Sequence, residues 1–360
     1  MDSGTLPLRR HEIQPWAIVV PSISGACIVV IQTFISSSAR FLILLPVAAY
    51  ISILIHELGH LTGGWCVGFR FRSIAIKPFA IQLERGKLRL RFRWPSTSSS
   101  SGYAIMDVDT VLRLRRRLML YIAAGPAANL ITVPIALLFT NHRLSSFAGL
   151  LAIISVLMSV FNLLPLPVSP ASFTDGFRLA TLLKDRTRTR RLLSIYAVGA
   201  QRRGGIRPKR WKQTWLKAAS SLCDGSIDHF WGNWLAYICC TSRGYDESGA
   251  VHLERCLQVS SSLEDDVRDS VAQEAAIFSA WFRRDAILVE KWMKQILRPQ
   301  LRPGLGKGRF GIAMRLARGD LEAALRRLGL NSDNSGFAES SKQFQFPPFT
   351  RSLDTWSEST

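Results

Sequence analysis

Acidic residues are scarce in this chain: 26 Asp and Glu stand against 46 Lys and Arg, a formal net charge of +20. Such an excess is a common footprint of phosphate binding, yet no recognisable nucleic-acid motif accompanies it. The cations are also unevenly placed. "FRFRSIAIKPF", "ERGKLRLRFRW" and "VLRLRRRL" precede residue 118, and "KDRTRTRR" and "QRRGGIRPKRW" follow residue 183. Lys and Arg beside membrane spans act as topology determinants and as contacts for anionic lipid. On that reading no nucleic-acid partner is expected, and salt-dependent binding by the C-terminal region would be needed to restore one. Cysteine is equally unpatterned. Cys27, Cys66, Cys223, Cys239, Cys240 and Cys256 show no C-x-x-C pairing, which leaves them as reduced thiols in a membrane or cytoplasmic setting.

Charge is nearly absent from four long runs, residues 16–38, 41–69, 118–140 and 144–167. Each reaches the ~20 residues that cross a ~30 Å hydrocarbon layer as a helix. The reading is therefore an α-helical polytopic membrane protein with about four transmembrane helices. No small-residue cleavage site follows the first run, so it is expected to stay as an anchor. The two short loops on one side carry only Arg40 and Arg143, whereas the basic stretches lie on the other. Positive residues favour the inside. Both termini and the long middle loop are thus expected in the cytoplasm, with a bacterial cytoplasmic membrane as the default location.

Between the second and third runs, residues 71–94 alternate apolar with basic or polar side chains around Glu84-Arg85-Gly86. That period predicts two strands in a short membrane-associated β-hairpin, and "PSTSSSSGY" after it reads as a flexible linker. Beyond Asp175 the chain turns basic and Trp-containing, with helical spacing and no further span. "WLAYICCTSRGYDESGAVHLERCL", "VAQEAAIFSAWFRRDAILVEKWM" and "RFGIAMRLARGDLEAALRRL" each read as helix, turn, helix. They fit a degenerate tetratricopeptide-like array or an ordinary all-α domain about equally well. The expected division is a cytoplasmic arm at 1–15, a transmembrane domain at 16–183, a cytoplasmic helical domain at 184–330 and a disordered, Pro/Ser-rich tail at 331–360.

The chemistry sits in the second run, "ISILIHELGHLTGG". His56 and His60 are four apart, so on a helix they share a face one turn apart and both imidazoles reach one Zn²⁺. Glu57 stands beside them, placed to take a proton from a zinc-activated water. Read blandly, these residues only close a helix at the interface. Against that, ionisable groups at membrane depth are costly and mark function. A catalytic zinc needs a third protein ligand and an open position. Cys66 stands where the extended metzincin spacing needs a third histidine. Asp175 is the other candidate, in "FNLLPLPVSPASFTDGF", where prolines break the helix and free backbone groups that membrane proteins tolerate beside a polar cavity. The histidines lie roughly 22 Å down a helix starting near residue 41, on the side where the fourth run ends. Asp185, in a basic run, is a poorer substitute.

HELGH in a span, "AAGPAANL" in the next, and "NLLP" followed by "DG" together resemble the site-2 protease family of intramembrane zinc metalloproteases, peptidase family M50. The resemblance covers residues 41–183. It implies His56, His60 and Asp175 as ligands of one zinc per chain, Glu57 as catalytic base, and a three-helix catalytic core to which the first run is additional. It also implies a transmembrane protein substrate, hydrolysed in or near its spanning segment. "VSPASFT" separates Asp175 from the Asn-x-x-Pro element, where many members have a compact turn. Asn162 of that element is read either as donor to the oxyanion or substrate backbone, or as a buttress of the broken helix. Gly125 and Pro126 are assigned to close helix packing, and Asn129 to bonding across helices. No PDZ domain is apparent. A rival reading is a membrane-anchored adaptor that recruits a cytoplasmic protein partner through its C-terminal helices, with zinc structural or absent.

Overall fold

The computed structural model describes residues 39–84, 86–92, 102–140, 146–169, 172–263, 265–296, 315 and 318–320. Helix α1 (Ala39–Cys66), helix α2 (Leu114–Leu138) and helix α3 (Phe147–Leu163) form the apolar part. Two helical stretches, Leu44–Cys66 and Leu114–Leu138, are long and apolar enough to cross a membrane. The third is shorter than the expected span, with 17 residues. Its end has a plain cause: Pro165 and Pro167 follow, and a residue before proline is driven out of the helical region. Leu164 accordingly turns extended, at φ −64°, ψ 134°. The first apolar run and the arm at 1–15 lie outside the described residues, so two candidate spans stand where four were expected.

Small residues seat α1 on α2. A Cβ at Gly59 would lie 2.5 Å from the Ala124 carbonyl oxygen, and one at Gly63 would lie 2.3 Å from the Ala124 Cβ. Backbones approach this closely only where side chains are missing. Helix α3 closes the other side, with Ala48 against Leu150 in an apolar cluster and Ser52 Oγ 3.3 Å from Ser155 Oγ.

The middle segment departs from the two-strand expectation. Four strands, β1 (Arg70–Ile76), β2 (Phe79–Glu84), β3 (Lys87–Phe92) and β4 (Gly102–Asp107), form one antiparallel sheet in the order β3-β2-β1-β4. The expected turn joins β2 and β3, with Gly86 at φ +77°. Strand β4 begins inside the stretch read as linker; Gly102 and Tyr103 belong to it. Ile74, Ile76, Ala104 and Met106 pack this sheet on Tyr50, Ile53 and Tyr121 of the helices. The same face continues along β2 and β3 as three directly opposed pairs, Phe79 with Phe92, Ile81 with Leu90, and Leu83 with Leu88. All six of those side chains are exposed. Lys87, Arg89 and Arg91 alternate onto the opposite face.

Helices α4 (Asp175–Lys184), α5 (Arg186–Arg203), α6 (Gln213–Ala219), α7 (Ile227–Ser242), α8 (Asp246–Ser260), α9 (Asp265–Phe278) and α10 (Ala286–Lys294) follow. Trp211, Phe230, Trp234, Tyr237, Val271 and Phe278 lie in the core of this helical part. The first two look-alike stretches are helix-turn-helix pairs, α7 with α8 and α9 with α10. Most of the third stretch, and the tail at 331–360, lie outside the described residues.

Candidate metal centre

Helical spacing in α1 does what the motif requires: the Nε2 atoms of His56 and His60 stand 3.2 Å apart. Asp175 arrives from a distant part of the chain. After α3 stops at the prolines, a short ladder between β5 (Pro167–Ser169) and β6 (Ser172–Phe173) turns the backbone round, and α4 begins at Asp175. Thr174 is the N-cap. Its hydroxyl accepts from the Phe177 amide at 3.2 Å and donates to the Leu164 carbonyl at 2.5 Å. That pins the first turn of α4 to the end of α3. The Asp175 Oδ2 atom then lies 3.1 Å from His56 Nε2 and 3.4 Å from His60 Nε2.

These separations suit a metal. Ligands about 2.0–2.1 Å from a tetrahedral zinc stand about 3.3 Å from one another. His56, His60 and Asp175 form a group that could hold a metal ion. Proton bookkeeping favours one. The Nδ1 atom of His60 is 3.0 Å from the Tyr121 carbonyl oxygen, which can only accept, so the neutral ring carries its hydrogen there and leaves Nε2 a bare lone pair. The Nδ1 atom of His56 faces the Asn129 side-chain amide at 3.4 Å. Amide O and N are distinguished only by their partners. In the opposite amide orientation Oδ1 would accept from Nδ1–H. His56 Nε2 is then also a bare lone pair. In that state two lone pairs and a carboxylate oxygen would meet at one point, an arrangement that suits a cation.

The surroundings leave room for the cluster. A Cβ at Gly125 would sit 2.4 Å from His60 Nε2, so packing and chemistry coincide at this residue. Glu57 is 6% exposed. Its carboxylate faces the start of β4, where a Cβ at Gly102 would come within 2.9 Å of Oε1.

Other residues considered as ligands lie elsewhere. Cys66 is exposed at the end of α1. Asp185 caps α5, accepting from the Arg188 amide at 2.8 Å. Asn162 Nδ2 donates to the Met158 carbonyl at 2.9 Å within its own helix. Asn129, fully buried, reaches His56 across the helix boundary, and a polar amide in an apolar span was its signal in the sequence. The roles of Gly102 and of the Tyr121 carbonyl carried no such signal.

Set against protein-family models, curated proteins and solved structures, the chain matches none.

Proposed function

We propose that this chain is an intramembrane zinc metalloprotease of the site-2 protease type, cutting a peptide bond in or near the spanning segment of a membrane-protein substrate. The observation that carries the reading is the convergence of His56, His60 and Asp175 on one point, with buried Glu57 next along the helix. Zinc held there would supply Lewis-acid activation of water and of a carbonyl. Glu57 takes the proton released as water attacks and passes it to the leaving amine, so it works in turn as base and acid. A purely structural site has no use for that carboxylate, which weighs against the adaptor reading.

A spanning helix hides its carbonyls in its own hydrogen bonds and must be unwound to be cut. Strand β4 ends its sheet among the described residues, and its first residue lies against Glu57. An unwound substrate segment adding to that edge would present its backbone beside the base. The hairpin's exposed apolar face, and exposed Leu120, Ile131, Ile135 and Leu138 on α2, suit lipid contact better than water.

The test is Glu57→Gln. Purified in detergent and offered a labelled unfolded protein and single-span reporters, the wild-type chain is expected to cleave while Glu57→Gln keeps its metal and loses about 10²–10⁴-fold in rate. An equally active Glu57→Gln protein would remove the proposed base.

A further inference from the structure

We infer that a basic groove at the N-terminal end of α2 binds the headgroup and upper acyl chain of an anionic phospholipid. The inference rests on the reading that α2 spans a membrane, and adds to it a defined lipid site.

The groove encloses about 890 Å³ between the start of α2, the α4–α5 corner and α6. Arg113, Arg116, Arg186 and Arg190 line it. None of the four has an ion-pair or hydrogen-bonding partner for its guanidinium among the described residues. Asp185 is the single acid on the wall, and it is already engaged by the Arg188 amide and by Arg188 Nε at 3.7 Å. The arrangement is electrostatically uncomfortable as it stands. A helix N-terminus carries positive partial charge and favours anions, yet the first turn of α2 holds Arg115, Arg116 and Arg117, no acidic residue and no side-chain cap. Asp109 compensates Arg117 at 2.7 Å and the Leu182 and Leu183 carbonyls accept from Arg115, but the four arginines facing the groove are left with a mutual repulsion that an anion from outside would relieve.

The floor of the groove distinguishes kinds of anion. Leu114, Leu182, Leu193, Ala197 and Trp215 line it beneath the arginines. Free phosphate gains nothing from such a surface, whereas a lipid offers charge and hydrocarbon together. Trp215 also has the amphipathic character of residues at membrane boundaries. Above the groove, α2 continues into its exposed apolar face, so its position fits a headgroup whose chain follows the helix.

The measurement is binding of short-chain phosphatidylglycerol and phosphatidylcholine, each below its micellar concentration, to the purified full-length chain in neutral detergent, read by native mass spectrometry. Saturable binding of phosphatidylglycerol over phosphatidylcholine is expected. Arg186→Gln with Arg190→Gln should weaken it by about five-fold per arginine. Both side chains are exposed and outside the core, so this variant should fold, checked by an unchanged Tm in neutral detergent. Lys291→Gln with Lys294→Gln on α10 removes equal charge and should change nothing. Equal binding of the two lipids, or binding indifferent to the arginines, overturns the inference. Displacement by inorganic phosphate at matched concentration assigns the groove to a soluble anion and also overturns it. The membrane reading has its own readout, partition of the wild-type chain into the detergent phase. A chain that stays in water yet binds phosphatidylglycerol through these arginines keeps the site and loses its placement.

Discussion

At the scale of single residues, the cluster depends on what is missing as much as on what is present. The 2.4 Å between a Cβ at Gly125 and His60 Nε2 means that even Gly125→Ala must push the ring out of line. Metal affinity is expected to fall by at least tenfold, measured by competition with a chromophoric chelator, with helical content unchanged by circular dichroism. Asn129→Leu fills the same space while removing the amide that faces His56 Nδ1, and a loss of about 10–100-fold in affinity is expected. An affinity equal to wild type would mean that the ring is oriented by something else. Much of this was legible in the sequence, because His56 and His60 at helical spacing could only share a face. The orienting partners were not, since a backbone carbonyl has no signature and an asparagine 73 residues away declares its partner only in three dimensions.

At the scale of elements, apolar runs identify helices well and their ends poorly. Pro165 and Pro167 show why α3 stops, but Thr174, whose hydroxyl bonds to the end of α3 and caps α4, reads as an ordinary polar residue. Strand β4 was hidden because alternation is short there and the preceding serines look like a linker; it forms because its partner β1 supplies the ladder. The β2–β3 hairpin shows the opposite case, a period-two pattern plain in the sequence with one face left uncovered. That face should lie in lipid. In a background lacking the exposed Cys66 and Cys223, Leu90→Cys in a bilayer should react slowly with a charged maleimide and Arg89→Cys quickly. Equal rates would place both faces in water.

At the scale of the molecule, the helix that carries Asp175 is tied to the helical domain behind it. Arg178, one turn along α4, pairs with Asp228 in the first turn of α7. Arg191, 2% exposed, joins Asp228 to Asp224 and Ser226. Breaking a buried pair leaves a charge uncompensated, so Asp228→Asn should cost about 3–5 kcal/mol and weaken metal binding with it. Unchanged stability and affinity would show that α4 is held by its cap alone.

Acid should reach this domain in two stages. Burial, with Arg255 adding, lowers the His252 imidazole to about 4. The unfolded state therefore binds the proton first, and the stability from keeping this ring neutral, full above about 6.5, is lost as pH falls from there towards 4. Burial raises the Asp224 carboxyl, but hydrogen bonds from Arg191 and Ser226 outweigh it and hold the group at about 2. Its contribution, present above the ordinary carboxylate range, is lost only as pH falls towards 2. Unfolding followed by the fluorescence of buried Trp211 and Trp234 should show both stages; His252→Gln should shrink the first, to which His229, also lowered by burial, contributes, and leave the second unchanged.

Whether His56, His60 and Asp175 hold a metal is read from zinc content. The chain, purified in detergent without chelators, would be measured by elemental mass spectrometry beside His56→Ala and Asp175→Asn variants shown to be folded. About one zinc per chain, lost in both variants, is the result predicted. A folded wild-type chain without zinc, or an Asp175→Asn variant that keeps it in full, would mean that these three residues do not hold a zinc.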